Sequence, residues 1–240
     1  MAFVNANQTR LIYGTNPLAA YLKSAGPSFN ADMLDATTLA DTSKVFRAGI
    51  VDYALNVDGL FDDTTAAGDV WANITAVIAA GSTVPVSVAP EGFAVGNSVW
   101  VLPVKTATYE VAGSVADLVT FTMAMQPADT PAVGRSLSDL AAYTTTTNGT
   151  SVDNAVASSN GAVVNLHVTA ASGTTPTLAV AIQHSTNNST WSTIATFTTA
   201  TAATSETVTI TGTVNRYTRA VFTVGGTTPS FTAQVSLARK

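Results

Sequence analysis

The sequence predicts a mainly all-β chain with one flanking α-helix, and three observations carry that expectation. Short runs of β-branched and aromatic residues are broken throughout by Gly, Asn, Asp and Pro. Several of these runs alternate apolar and polar side chains with a period of two. Only one long segment repeats its apolar residues at helical spacing. The chain has 240 residues, enough for one large β domain or two smaller ones.

Along the chain, Val51 to Asp58 alternates cleanly, with Tyr53, Leu55 and Val57 on one face and Asp52, Asn56 and Asp58 on the other. A helix near 65–80 follows from Val70, Ile74, Val77 and Ile78 at helical spacing beside Trp71. Thr64, Thr65 and Asp69 are its capping candidates, and Gly81 stands where it should stop. Asn97 to Val104 is apolar on both faces, as expected of a strand covered on two sides, with Pro103 near its end. Leu118 to Met125 places Val119, Phe121, Met123 and Met125 inward. Asp139 to Ala142 reads as a short turn of helix.

Two polar, low-complexity stretches, Tyr143–Ser151 and Ala155–Gly161, read as a linker. They divide the chain into 1–145 and 146–240. Beyond them the pattern is more regular. Val164, Leu166 and Val168 alternate with Asn165, His167 and Thr169; Leu178 to Ile182, Trp191 to Phe197, Val208 to Ile210, Ala220 to Val224 and Phe231 to Leu237 follow. Six strands joined by turns such as Thr186–Ser189 and Gly225-Gly226 predict a C-terminal antiparallel β-sandwich or jelly roll. No convincing internal repeat relates the two halves.

Composition narrows the function. Charged residues are 10% of the chain, against roughly 25% in an average globular protein, while 46% are hydrophobic. Such a surface suits contact with neighbouring subunits. The net charge of −5 and the lack of a basic patch argue against tight nucleic-acid binding, although an acidic surface can meet DNA by repelling it. Without cysteine there is no disulfide, thiolate nucleophile or Cys-ligated zinc. The first thirty residues lack a secretory pattern and no apolar run approaches eighteen residues. The expectation is a product that stays soluble in the cytoplasm where it is made.

Catalytic signatures are missing. There is no Gly-x-Ser-x-Gly elbow, Walker loop, Rossmann fingerprint or His-Glu-x-x-His motif. His167 and His184 have no partner at a ligand or base spacing, and read as solvated or edge histidines. Asp58, Asp62, Asp63 and Asp69 lack the order of a calcium loop and read as turn and cap residues. Trp191, Phe197, Tyr217, Phe222 and Phe231 could line a sugar groove, but their positions among the aliphatics of their strands fit core better. No catalytic residue, metal or cofactor is expected.

Longer segments resemble a known family. Thr9-Arg10-Leu11-Ile12-Tyr13-Gly14, Leu18-Ala19-Ala20-Tyr21, Ser28 through Thr42, Phe46-Arg47-Ala48-Gly49 and Val57-Asp58-Gly59-Leu60-Phe61-Asp62 resemble the opening of tail proteins of actinobacterial phages. Gln183-His184-Ser185, Trp191 to Phe197 and Gly212 to Arg219 extend the likeness to most of the chain. The family is the major tail tube protein of long, flexible-tailed phages. The resemblance implies a tail-tube-like β-sandwich or barrel subunit flanked by one helix. It also implies a long loop near 24–49 reaching the next ring and an N-terminal arm at Ala2 to Gln8. In that family six subunits join their sheets into a barrel, and stacked rings conduct the genome. A second domain, 146–240, would decorate the outside or contribute to the wall. The implied partners are further copies of the chain and other tail proteins such as a tape measure, with DNA passing unbound and no membrane. The implied location is the virion tail, assembled in the host cytoplasm. Asp52, Asn56 and Asp58 are then candidates for the lumen. The rival expectations are a capsid decoration or other virion surface protein, and a carbohydrate-binding β module.

Overall fold

The computed structural model describes residues 6–61 and 70–240. The strands are β1 (Arg10–Tyr13), β2 (Asn16–Pro17), β3 (Leu22–Asp35), β4 (Phe46–Leu60), β5 (Val84–Ala89), β6 (Ser98–Ala112), β7 (Thr120–Pro127) and β8 (Ala132–Ser136). They continue as β9 (Ala141–Tyr143), β10 (Thr147–Asn148), β11 (Val152–Asp153), β12 (Ala162–Ser185), β13 (Ser192–Thr196), β14 (Thr204–Ile210) and β15 (Tyr217–Arg239). One α-helix, α1 (Val70–Ala80), lies among the described residues. The mainly β chain with a single helix is as the pattern predicts. The cap candidates Thr64, Thr65 and Asp69, with Asp62 and Asp63, lie outside the described residues.

The N-terminal core forms between two sheets that share a bent β6. Its first part pairs with β5, which pairs with β1. Its second part pairs with β7, then β4, then β3. Val104 belongs to both pairings, and just beyond it the strand shifts register between Thr106 and Thr108. Leu11, Tyr13, Val86 and Leu102 from the first sheet meet Leu55, Val57, Phe121 and Met125 from the second. Helix α1 contributes Trp71 and Ile74 to this core. Trp71 is tilted against Phe121 at 4.6 Å and stacked on Phe61 at 5.3 Å and Tyr109 at 5.9 Å. Each such pair adds about 0.5–1.5 kcal/mol beyond simple burial.

The C-terminal core is built by two long strands that run antiparallel over almost their whole length. The first half of β12 pairs with β14, and the second half with β13. On the other side of the pair, β15 receives β10 and β11 on its first half, and β8 and β9 on its second. Both halves feed one core, in which Val164, Leu166, Phe231 and Val235 pack with Val180, Ile182, Ala220 and Phe222. Tyr143 stacks across it on Phe222 at 3.9 Å. The result is the expected antiparallel sandwich, made by folding one pair of strands over on itself.

The fold occurs at a duplicated tetrapeptide, Gly173-Thr174-Thr175-Pro176 in β12 and Gly226-Thr227-Thr228-Pro229 in β15. Thr174 and Thr227 are register partners, flanked by bulges. Gly173 and Gly226 have φ of 117° and 109°, and Thr175 and Thr228 have φ of 46° and 47°. A Cβ on Gly173 would lie 2.7 Å from the Thr228 carbonyl oxygen, and one on Gly226 would lie 2.7 Å from that of Thr175. The two strands therefore bulge together about a local two-fold. Gly225-Gly226, expected as a turn, lies inside β15.

Three further expectations are corrected. The loop near 24–49 is the β3–β4 hairpin, turning between residues 36 and 45. Its outer part is exposed on both faces, so no period-two signal marks it. Tyr143–Ser151 is not a free linker, because β9 and β10 lace it to β15. Asp139–Ala142 is not helical, since Ala141 already belongs to β9.

The two cores meet through the other face of the β1–β5–β6 sheet. Ile12, Phe93, Val99 and Val101 pack there against Val163 and Ala238. Asn97–Val104 is thus covered on both sides, as its composition requires.

Candidate assembly interface

Four strands, in the order β3–β4–β7–β6, form a sheet with one apolar and one polar face. Ser24, Asp58, Thr122 and Glu110 are successive register partners, and so are Gly26, Asn56, Ala124 and Thr108. Residues in one row share a face. Asp52 continues it opposite Asn30. Asp52, Asn56 and Asp58 therefore stand together on the polar face, as the alternation implies. Glu110 and Thr122 belong to the same face and were not among the sequence candidates, because only pairing brings their strands alongside. The Ser24 hydroxyl donates to the Asp58 carboxylate. The depression between β4, β7 and β6 has a volume of about 220 Å³ and holds Asn56, Asp58, Thr108, Glu110 and Thr122.

Both margins of this sheet are open among the described residues. β3 pairs only with β4, and Lys105–Ala112 of β6 pairs only with β7. Along the sheet the strands alternate in direction, so the outermost two, β3 and β6, run opposite ways.

Beyond its last pairing with β7 at Leu55, the β3–β4 hairpin continues alone for eight residues on the β3 side, about 25 Å at the usual strand rise. Its base rests on Trp100 through Phe29, at 4.9 Å. Farther out it carries Met33, Leu34, Leu39, Phe46 and Ile50, with Leu39 110% and Ile50 83% exposed. The tip is nevertheless ordered. Thr38 donates its amide and hydroxyl to Asp41, at 2.7 and 2.9 Å, and the Thr37 hydroxyl accepts from the Val45 amide. The bonds from Thr37 hold the Asp35 carboxyl below its ordinary pKa, and those from Thr38 do the same to Asp41.

His167, expected at a solvated edge, is fully buried. The face of β12 that carries it with Asn165 packs on β5 instead of meeting water. His167 Nδ1 lies 2.7 Å from the Gly14 carbonyl oxygen and its Nε2 lies 2.8 Å from Ser87 Oγ. Asn165 donates to the Val86 carbonyl at 3.0 Å and accepts from Thr207 at 2.7 Å. Burial pushes the imidazole pKa down to about 4, against the opposing effect of the Gly14 bond. His167 is thus a neutral strut between the two cores. His184 is half-buried and accepts from the Asn215 amide at 3.2 Å.

Of the aromatic residues considered for a sugar groove, Phe197, Phe222 and Phe231 are core. Trp191 and Tyr217 are half-buried, and the Arg219 guanidinium lies 4.2 Å over the Trp191 ring while donating twice to Gln183. Among the described residues, no group of three or more His, Cys, Asp or Glu side chains could hold a metal ion. No described helix is long and apolar enough to cross a membrane.

Neither the comparison with protein-family models nor that with curated proteins returns a match. Among solved structures, the chain is similar to one from the virion of a native gene transfer agent particle. The identity is 18% and the TM-score 0.45, over 54% of this chain and 97% of that one. A chain of the SPP1 tail tube is similar at 10% identity and a TM-score of 0.43, over 53% of this chain and 77% of that one. The SPP1 Dit protein, described as a paradigm of the hub adsorption apparatus, is similar at 12% identity and a TM-score of 0.41, over 97% and 99%.

Proposed function

We propose that this chain is a structural subunit of a phage tail tube, closing into rings through β3 and β6 and stacking those rings through the β3–β4 hairpin. The observation that carries the reading is the four-stranded sheet with two open, oppositely directed margins. A sheet with an even number of alternating strands can be continued by a second copy without a break in the antiparallel order. Such head-to-tail contacts close a ring when the rotation permits, and closure pairs both open margins of this sheet. The tail setting and a count of six come from the sequence resemblance.

In this arrangement the β3–β4–β7–β6 sheet and its core form the ring, and the sandwich built on β12 and β15 lies in the wall or outside it. The polar face, with Asp52, Asn56 and Asp58, lines the lumen, where negative charge keeps DNA moving. The ordered, apolar hairpin tip is the contact with the next ring. A tape-measure protein and other tail components complete the partners, and no catalysis is involved. Assembly takes place in the host cytoplasm and the product is the virion tail.

Negative-stain electron microscopy of the concentrated protein is expected to show rings or tubes. Met33→Ser, Leu34→Ser and Leu39→Ser together should leave the melting temperature of the free subunit unchanged while stopping tube growth at single rings. Particles that remain single at high concentration would instead fit a virion surface protein. In virions, Asp52→Lys with Asp58→Lys is expected to leave tubes intact and slow DNA ejection about tenfold or more, since a lumen's field acts on a polyanion along its length. Unchanged ejection kinetics would remove these residues from the lumen.

A further inference from the structure

We infer that Glu110 of one copy seats in a basic cavity between β1 and β3 of the next, so that a charge pair fixes the register of the ring joint. The inference rests on the ring reading and deepens it. The cavity, of about 220 Å³, is lined by Thr9, Arg10, Ala19, Leu22 and Lys23 among others. It lies at the start of β3, the margin with no strand beyond it. Arg10 Nη1 donates to the carbonyls of Asn7 and Thr9, at 2.9 and 3.0 Å. Those bonds occupy one nitrogen and leave the Nε and Nη2 donors of the guanidinium to meet an anion.

Neither Arg10 nor Lys23 forms an ion pair among the described residues, in a chain where acidic groups outnumber basic ones by 15 to 10. Two cations sharing one cavity without a carboxylate are therefore a local exception. The complementary charge stands on the opposite margin. Glu110 is exposed on the part of β6 that has β7 on one side and an open margin on the other, and it heads the row Glu110, Thr122, Asp58, Ser24. Within its own chain the nearest charge in that row is Asp58, two strands away, roughly 9–10 Å at normal strand spacing. Continuing the row across the joint brings the next copy's Ser24, which lines the same cavity, next to Glu110, with Lys23 at the register shift just before it. A like-charge neighbour is then balanced by an opposite charge that only assembly supplies. Matching of this kind sets register and excludes wrong pairings more than it adds affinity.

The test uses full-length protein and three variants, Glu110→Lys, Lys23→Glu and Arg10→Glu/Lys23→Glu, with ring formation followed by sedimentation and microscopy. Each variant alone should require at least about tenfold more protein to form rings, because Glu110→Lys and the double variant set like charges against each other at every joint and Lys23→Glu cancels the cavity's positive excess. Melting curves matching wild type establish that the subunits are folded, and Lys23→Glu serves if loss of Arg10 disturbs the chain start. An equimolar mixture of Glu110→Lys with a pocket variant should recover rings, since alternating copies restore opposite charges at both joints. Rings from Glu110→Lys at wild-type concentration, or no recovery in the mixture, would overturn the inference and leave the tube reading standing. Wild-type protein that forms no rings would overturn both.

Discussion

Gly134→Ala is expected to lower the stability of the free subunit by about 3 kcal/mol or more, as measured by urea unfolding. Gly134 sits in β8, the five-residue strand that bridges β6 of the first core and β15 of the second. A Cβ at this position would lie 2.0 Å from the Leu237 carbonyl oxygen and 2.4 Å from the Ala238 Cα. These are backbone atoms of a strand hydrogen-bonded on both sides, so they cannot rotate away as a side chain would. Relief requires β8 to leave β15, taking with it the bonds around Ser136, whose hydroxyl accepts from Gln234 at 2.9 Å. Gly26→Ala is the control. No atom lies within 4 Å of a Cβ built there, and the expected change is within about 0.5 kcal/mol. A small effect at Gly134 would mean that β8 is not a fixed bridge.

Acidification from pH 6.5 to pH 4 is expected to cost roughly 3 kcal/mol of stability through His167. The folded-state pKa, about 4, lies below the ordinary 6.5 because burial disfavours the charged ring. Between those values the unfolded chain binds a proton that the folded chain refuses. The contribution is therefore complete above pH 6.5 and is lost progressively as the pH falls to about 4. Geometry gives the same answer. The Gly14 carbonyl can only accept, so Nδ1 carries the proton and Nε2 accepts from the Ser87 hydroxyl. Protonating Nε2 turns that bond around and leaves the Ser87 proton to find another acceptor.

His184, also lowered by burial, acts in the same direction. Asp153, held down to about 2 by its bonds from Arg216, loses its contribution only below the His167 window. Urea midpoints for wild type and His167→Gln across pH 7 to 4 separate these effects. The variant should be weaker at pH 7 and markedly flatter below it. Parallel curves for the two proteins would show that His167 does not carry the dependence.

Much of the fold was legible where one side of a strand is wet. Tyr53, Leu55 and Val57 against Asp52, Asn56 and Asp58 announced both the strand and its polar face. Val99 and Val101 beside Leu102 and Val104 announced burial on two sides. Legibility failed where neither face, or an unforeseen face, is covered. The outer β3–β4 hairpin exposes both faces, so its apolar residues follow no period. His167 and Asn165 look solvated because a polar residue facing water and one facing a second sheet have the same spelling. Within the candidate site, Asp52, Asn56 and Asp58 share one strand and could be read together. Glu110, Arg10 and Lys23 come from three others, and only pairing relates them. The identical Gly-Thr-Thr-Pro of β12 and β15 is visible in the sequence, but only their pairing shows that the two copies meet.

That duplication makes the C-terminal sandwich behave like a sheet of paper with a single crease. Both layers hang from the same two strands, and the angle between them is set where the two tetrapeptides lie side by side. A side chain added at either glycine would press on the other motif's backbone, so each crease line limits what the other can carry.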